Sequence, residues 1–265
     1  MKNPAQSNYL GEFNLVRAQM VPKFNESSDI EVLNAAEIIE TRQLILRDRE
    51  SWLELIQKGN YKLTANVKKY DFLYHNLVAA LSEHLACNVT VKTPLDFFLF
   101  DQFNQRWEQE PSGFIHNDWM NYSKCMQDFA NPEDVIFYDP SHAVALVLAI
   151  TLPEVGSGIE LYDAFHAEKG VNGKALLSLR AEKKFSLRKY RAGYATLFCP
   201  FQYHSGHCAE KGTLKETDSR MVLVAFLVKY KRENLEEWHM FRMCKGATLE
   251  YGDESLYGLP EDILA

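Results

Sequence analysis

No apolar run in this 265-residue sequence approaches the roughly 20 residues that cross a bilayer; the longest, Ala143 to Leu152, is strand-sized. No membrane partner is expected. The N-terminal stretch, Met1 to Phe13, is polar and lacks the apolar centre of a secretory signal, so a cytoplasmic location is the expectation. Cysteine is scarce. The five, Cys87, Cys125, Cys199, Cys208 and Cys244, are odd in number and match neither a zinc module nor a disulfide framework. They read as reduced, packed thiols. Basic charge is in deficit, with a net charge of −7. Such a surface repels nucleic acid at long range, and none is expected as a partner. Nor is there an internal repeat, a low-complexity tract or a linker rich in Pro, Gly or Ser. Residues 1–265 therefore read as one domain.

What is present is ordinary for a globular chain: 46% hydrophobic and 25% charged residues. A helical part spans about 27–87. Ser27, Ser28 and Asp29 offer an N-cap, and Val32, Ala35, Ala36 and Ile39 recur at helical spacing, followed by Leu44, Leu46, Trp52, Leu53 and Ile56. Gly59-Asn60 is a natural stop. A second amphipathic helix is predicted over Ala65 to Cys87. From about 88 to 232 the character changes to short β-rich runs: 88–93, 95–103, 114–116, 143–151, 159–162, 185–190, 194–199 and 220–230. No helical pattern separates successive strands, which argues against a βαβ sheet and for a double-sheet jelly roll. A last helix is predicted over Glu233 to Met243, within a C-terminal part of 233–265. The stretch from Trp119 to His142 reads as a long loop carrying Asp128, Glu133, Asp134 and Asp139. It is either a lid over a site or a solvated acidic loop.

The chemistry concentrates in three places. In Gly113-Phe114-Ile115-His116-Asn117-Asp118-Trp119, a His and an Asp two residues apart end a strand and share one face of it. They offer one metal two adjacent ligands, and a second His completes the facial triad of a non-heme Fe(II) site. The run Gly193 to His207 leads from a glycine turn through an apolar strand to His204, with His207 close behind. In Ser219-Arg220-Met221-Val222-Leu223, an arginine opens a strongly apolar strand. Burying it is costly unless an anion meets it, and its planar fork suits a carboxylate.

Together these elements resemble the Fe(II)/2-oxoglutarate-dependent dioxygenase superfamily, over Phe97 to Tyr230. The resemblance implies a double-stranded β-helix core, mainly β, buttressed by the N-terminal helices. It implies that His116, Asp118 and His204 ligate Fe(II), and that Arg220 pairs with the distal carboxylate of 2-oxoglutarate. With O2, the co-substrate is decarboxylated to succinate and CO2, and an unactivated carbon of a small molecule, an amino acid or natural-product intermediate, is hydroxylated. Asp118 stands where halogenating members carry Gly or Ala, so hydroxylation is expected; desaturation and ring closure use the same chemistry. Two points stay open. His207 competes with His204, which is preferred because its distance from Gly193 matches the family strand. Many members have a Ser or Thr two residues after the arginine; here Val222 stands there, and Thr151 or Tyr162 is the expected substitute. The alternatives to a small-molecule oxygenase are a peptide or protein hydroxylase and a non-catalytic jelly-roll binding protein.

Overall fold

The computed structural model describes residues 27–47, 62–101, 115–118, 130, 133–153, 157–166, 171, 173–208 and 219–242. The predicted helical positions Trp52, Leu53 and Ile56, the Gly59-Asn60 stop, and Trp119 with the acidic Asp128 lie outside them.

The N-terminal part differs from the expectation at its first step. Ser28–Glu31 is a strand (β1), not a helix cap. It pairs antiparallel with Tyr194–Phe198 (β8), and Thr196 Oγ1 donates to Asp29 Oδ1 at 2.6 Å, so the aspartate that looked like a cap holds an edge strand instead. The true cap is Asn34. Its Oδ1 accepts from the N–H groups of Ala36 and Glu37 at 2.9 and 3.1 Å, and Glu37 Oε2 accepts from Asn34 N–H at 2.8 Å. This reciprocal box satisfies the otherwise orphaned donors of helix α1, Ala35–Arg47. Strand β2, Lys62–Thr64, follows. Helix α2, Asp71–His84, is preceded by a turn in which Asn66 Oδ1 accepts from Lys68 and Lys69 N–H. It buries Leu73, Leu77 and Leu81, one row at i, i+4, i+8.

Strands β3 (Val89–Val91), β4 (Asp96–Asp101), β5 (Tyr138–Thr151) and β10 (Ser219–Arg232) join β1, β2, β8 and β11 (Leu235–Phe241) in one large sheet. Its order is β1-β8-β5-β10. The first half of β10 then pairs with β4, which pairs with β2; its second half pairs with β11, which runs parallel to β3. The smaller sheet is β7-β6-β9, made of Phe185–Lys189, Ser157–Phe165 and Gln202–Cys208. His116 bridges to His204 at the open side of β9. The chain thus passes from β4 in the large sheet to 115–118 beside the small one. It returns to β5, enters β6 and β7, goes back to β8, across to β9 and back to β10. This alternating course is the winding of a double-stranded β-helix.

Side-chain alternation builds three cores. In β5, Val144, Leu146, Leu148 and Ile150 face the two helices, while Ala143, Ala145, Val147 and Ala149 face the small sheet. The outer face of the small sheet packs Tyr162, Ala164 and Tyr203 with Leu176 and Leu179 of helix α3, Gly173–Ala181. That helix lies between β6 and β7, where no helix was expected. The predicted C-terminal helix is corrected as well: Glu233 takes a φ of 52° and the chain folds back as β11. Trp238 and Met240 alternate with His239 and Phe241, and both sets are buried, which is a strand's pattern. Part of the predicted acidic loop belongs to β5, and two of its described acids, Asp134 and Asp139, are engaged by neighbours. Asp134 accepts from Tyr230 Oη and Arg232 Nη1, each at 3.2 Å, and Asp139 binds Ser141 and His142. Cys87 and Cys199 are free thiols, and burial pushes the Cys199 thiol up to about 11. Among the described residues no helix is long and apolar enough to cross a membrane.

Candidate metal centre

His116 and His204 form a hydrogen-bonded antiparallel pair. His116 N–H donates to His204 O at 2.9 Å, and His204 N–H donates to His116 O at 2.7 Å. Residues paired in this way project side chains to one face, and the two rings lie 4.4 Å apart. Asp118, two residues beyond His116, returns to that face, its N–H donating to Pro200 O at 2.6 Å. The carboxylate then lies 3.4 Å from His204 Nε2 through Oδ2 and 3.9 Å from His116 Nε2 through Oδ1. The three side chains offer ligand atoms all within 4.8 Å of one another. Asp118 and His204 are buried and His116 is half-exposed.

The donor set fits a divalent transition metal. Metal–ligand bonds of roughly 2.0–2.2 Å place adjacent ligands about 3 Å apart, slightly closer than the separations here. Two imidazoles and one carboxylate on one face match the non-heme Fe(II) pattern. His204 is prepared for the role. Burial lowers its pKa to about 4, against the opposing pull of Asp118, so the ring is neutral at neutral pH. Its Nδ1–H donates to Gln202 O at 2.8 Å, because a carbonyl can only accept; Nε2 keeps its lone pair for a metal. Gln202 is itself pinned. The β6–β9 register breaks between Leu161 and Phe165, and the Gln202 carboxamide fills the gap by donating to Tyr162 O at 2.9 Å.

A pH dependence of the metal-free protein follows. The folded pKa of His204, about 4, lies below the ordinary value of 6.5, so unfolding takes up a proton between them. The stability is fully present above about pH 6.5 and falls as the pH drops toward 4, by roughly 3 kcal/mol. Thermal melts over that interval should show the loss, and a His204→Gln variant should lose distinctly less.

Strand parity separates the two candidate distal histidines. On β9, His204 and Gly206 face the large sheet, whereas Tyr203, Ser205 and His207 face α3. His207 Nδ1 lies 2.9 Å from Glu160 Oε1. Glu160 Oε2 accepts from Ser205 Oγ at 2.9 Å and Tyr162 Oη at 2.7 Å, and Arg180 Nε donates to Tyr162 Oη at 3.1 Å. Tyr162 therefore sits on the opposite side of the small sheet from His204, with its hydroxyl engaged. Thr151, half-buried, closes β5 opposite Met221.

Arg220 is buried and shares with Val222 the face of β10 that looks into the inter-sheet space. Its Nη2 lies 3.4 Å from Tyr190 Oη, and its guanidinium carbon 5.0 Å from the centre of the Tyr190 ring. A Cβ at Gly206 would sit 3.3 Å from Arg220 Nη1. Gly206 and His204 are alternate residues of one strand, about 6.6 Å apart along it. The arginine on one sheet therefore reaches across to a point one strand repeat from His204 on the other. Tyr190 and Gly206 were missed in the sequence. Gly206 carried a weak signal in His204-Ser205-Gly206; Tyr190 carried none beyond closing a predicted strand.

No family model and no curated protein matches the chain. Solved structures do resemble it. An N-substituted L-amino acid dioxygenase from Burkholderia ambifaria is 17% identical over 55% of this chain and 52% of its own, with a TM-score of 0.33, so the chain spans about half the length of that protein. AviO1 from Streptomyces viridochromogenes is 12% identical over 80% of this chain and 92% of its own, with a TM-score of 0.48. HygX from Streptomyces hygroscopicus, solved with nickel and 2-oxoglutarate bound, is 13% identical over 77% and 82%, with a TM-score of 0.41.

Proposed function

We propose that this protein is an Fe(II)- and 2-oxoglutarate-dependent oxygenase that hydroxylates a carbon of a small molecule. One observation carries the reading: two elements, the His116–Asp118–His204 cluster with two of its three residues buried and the buried Arg220 guanidinium, meet in one inter-sheet space from opposite sheets. A metal cluster alone suits many chemistries. A metal cluster with a carboxylate receptor beside it suits a chelating 2-oxo diacid. Bound Fe(II), with that acid and O2, supplies oxidative decarboxylation to succinate and CO2 coupled to insertion of an oxygen atom into a C–H bond.

The chain's own residues do the rest. His204, held by Gln202 O, presents Nε2 as a neutral ligand. Asp118 brings the negative charge that offsets part of the metal's. Arg220 receives the far carboxylate as a planar, permanently charged fork. Phe198 packs its ring 4.8 Å from that of His204, and Phe226, Val228, Ile159 and Leu161 line the same core, so water is kept from the buried side of the centre. The retained carboxylate at Asp118 favours hydroxylation over halogenation.

The test is an anaerobic titration of metal-free protein with Fe(II) and then 2-oxoglutarate, followed by visible absorption. A weak metal-to-ligand charge-transfer band is expected, and it should be absent in Asp118→Ala. Iron binding without the band would refute the co-substrate assignment. Failure to bind iron would leave a jelly-roll binding protein as the better description.

A further inference from the structure

We propose that Tyr190 is the second anchor of the co-substrate: its hydroxyl and the Arg220 guanidinium together receive the distal carboxylate of a 2-oxo dicarboxylic acid. The proposal deepens the reading above and rests on it.

Val222 occupies the position from which a hydroxyl was expected, and neither substitute meets the arginine in the structure. Tyr162 is turned toward α3, where Glu160 and Arg180 engage its hydroxyl. Thr151 pairs in register with Met221, whose side chain belongs to the helix-side core. Tyr190 comes from elsewhere in the chain, just past the end of β7, and buries its ring between the sheets with 7% exposure. Arginine can only donate, so the contact at 3.4 Å makes the Tyr190 oxygen an acceptor. The hydroxyl keeps its own proton to give, and among the described residues no acceptor takes it. Burial raises the phenol's pKa, outweighing the opposite influence of Arg220, so the proton stays in place at neutral pH. A carboxylate docked on the guanidinium fork is the acceptor this geometry suits.

Gly206 gives the arrangement its place. Its bare backbone lies under Arg220 Nη1, and a methyl group there would press on the guanidinium at 3.3 Å. The receptor therefore stands one strand repeat from His204, which favours a short diacid whose 2-oxo end reaches the metal.

The experiment compares two 2-oxo acids on Fe(II)-loaded protein without oxygen, with dissociation constants read from the charge-transfer band. 2-Oxoglutarate carries the distal carboxylate; 2-oxobutyrate has the same chelating end without it. Tyr190→Phe keeps the ring and removes only the hydroxyl. It should weaken 2-oxoglutarate about 10- to 100-fold, the range for a hydrogen bond to a charged group, and leave 2-oxobutyrate and Fe(II) unchanged. Gly206→Ala, which crowds the guanidinium and leaves Tyr190 intact, should show the same selective loss through Arg220, and retained Fe(II) and 2-oxobutyrate affinity shows that Tyr190→Phe is folded. An unchanged 2-oxoglutarate constant in Tyr190→Phe, or an equal loss for both acids, overturns the assignment of Tyr190 alone. No band with 2-oxoglutarate in the unaltered, iron-loaded protein overturns the parent reading, and this one with it.

Discussion

Replacing His204 with alanine should strip the protein of its metal, while His207→Ala should leave metal affinity nearly unchanged. Only three residues from one another, the two side chains leave β9 on opposite faces. His204 joins His116 and Asp118 within 4.8 Å, whereas His207 meets Glu160 under α3. Loss of outer partners of metal ligands costs about 10- to 100-fold in affinity, so loss of a ligand from a set of three should exceed that. His207→Ala has a different expected cost. Buried Glu160 keeps Ser205 and Tyr162 but loses one partner, for about 1–3 kcal/mol of stability. Equilibrium dialysis with Fe(II) or Co(II), alongside thermal melts, separates the two effects. A metal-free His207→Ala protein beside a metal-binding His204→Ala protein would reverse the assignment.

That contrast also marks how far the sequence reached. His116 and Asp118 were legible because spacing of two in a strand is a local property. The preference for His204 over His207 came from the family resemblance and not from the local pattern, because strand parity depends on where β9 begins, and β9 was not recognised: Gln202–Cys208 lacks the β-branched and long aliphatic residues that mark strands elsewhere in the chain. The C-terminal strand β11 was hidden similarly. Its exposed half carries Glu236 and Glu237, which resemble a helix's solvated face, yet Glu236 pairs with Lys229 and Glu237 Oε2 accepts from Thr90 Oγ1 across the sheet. Ser28 and Asp29 advertised a cap that Asn34 provides instead, since Asp29 is drawn to Thr196 on a strand far away in sequence. The two-sheet core followed from composition and turn spacing. The contact between Arg220 and Tyr190 came only from tertiary structure, because it joins the start of β10 to the end of β7.

Arg220→Ala should abolish tight 2-oxoglutarate binding and spare the metal. A buried guanidinium–carboxylate pair with one partner removed leaves the other charge desolvated and unmatched, at about 3–5 kcal/mol, or a weakening of roughly 150- to 5,000-fold. The chelating end of the acid does not touch Arg220 in this reading, so Fe(II) affinity and 2-oxobutyrate affinity should hold. Arg220→Lys keeps the charge but not the fork, and a point charge on a flexible stem does not reproduce two parallel N–H bonds. It should recover only part of the loss. The ordering expected for 2-oxoglutarate is therefore unaltered protein, then Tyr190→Phe, then Arg220→Lys, then Arg220→Ala. A double Arg220→Ala, Tyr190→Phe protein should bind little worse than Arg220→Ala, because the hydroxyl serves a carboxylate that the arginine brings into place. Unchanged 2-oxoglutarate binding in Arg220→Ala would remove this arginine from the site and leave the inter-sheet space a metal centre without a diacid receptor.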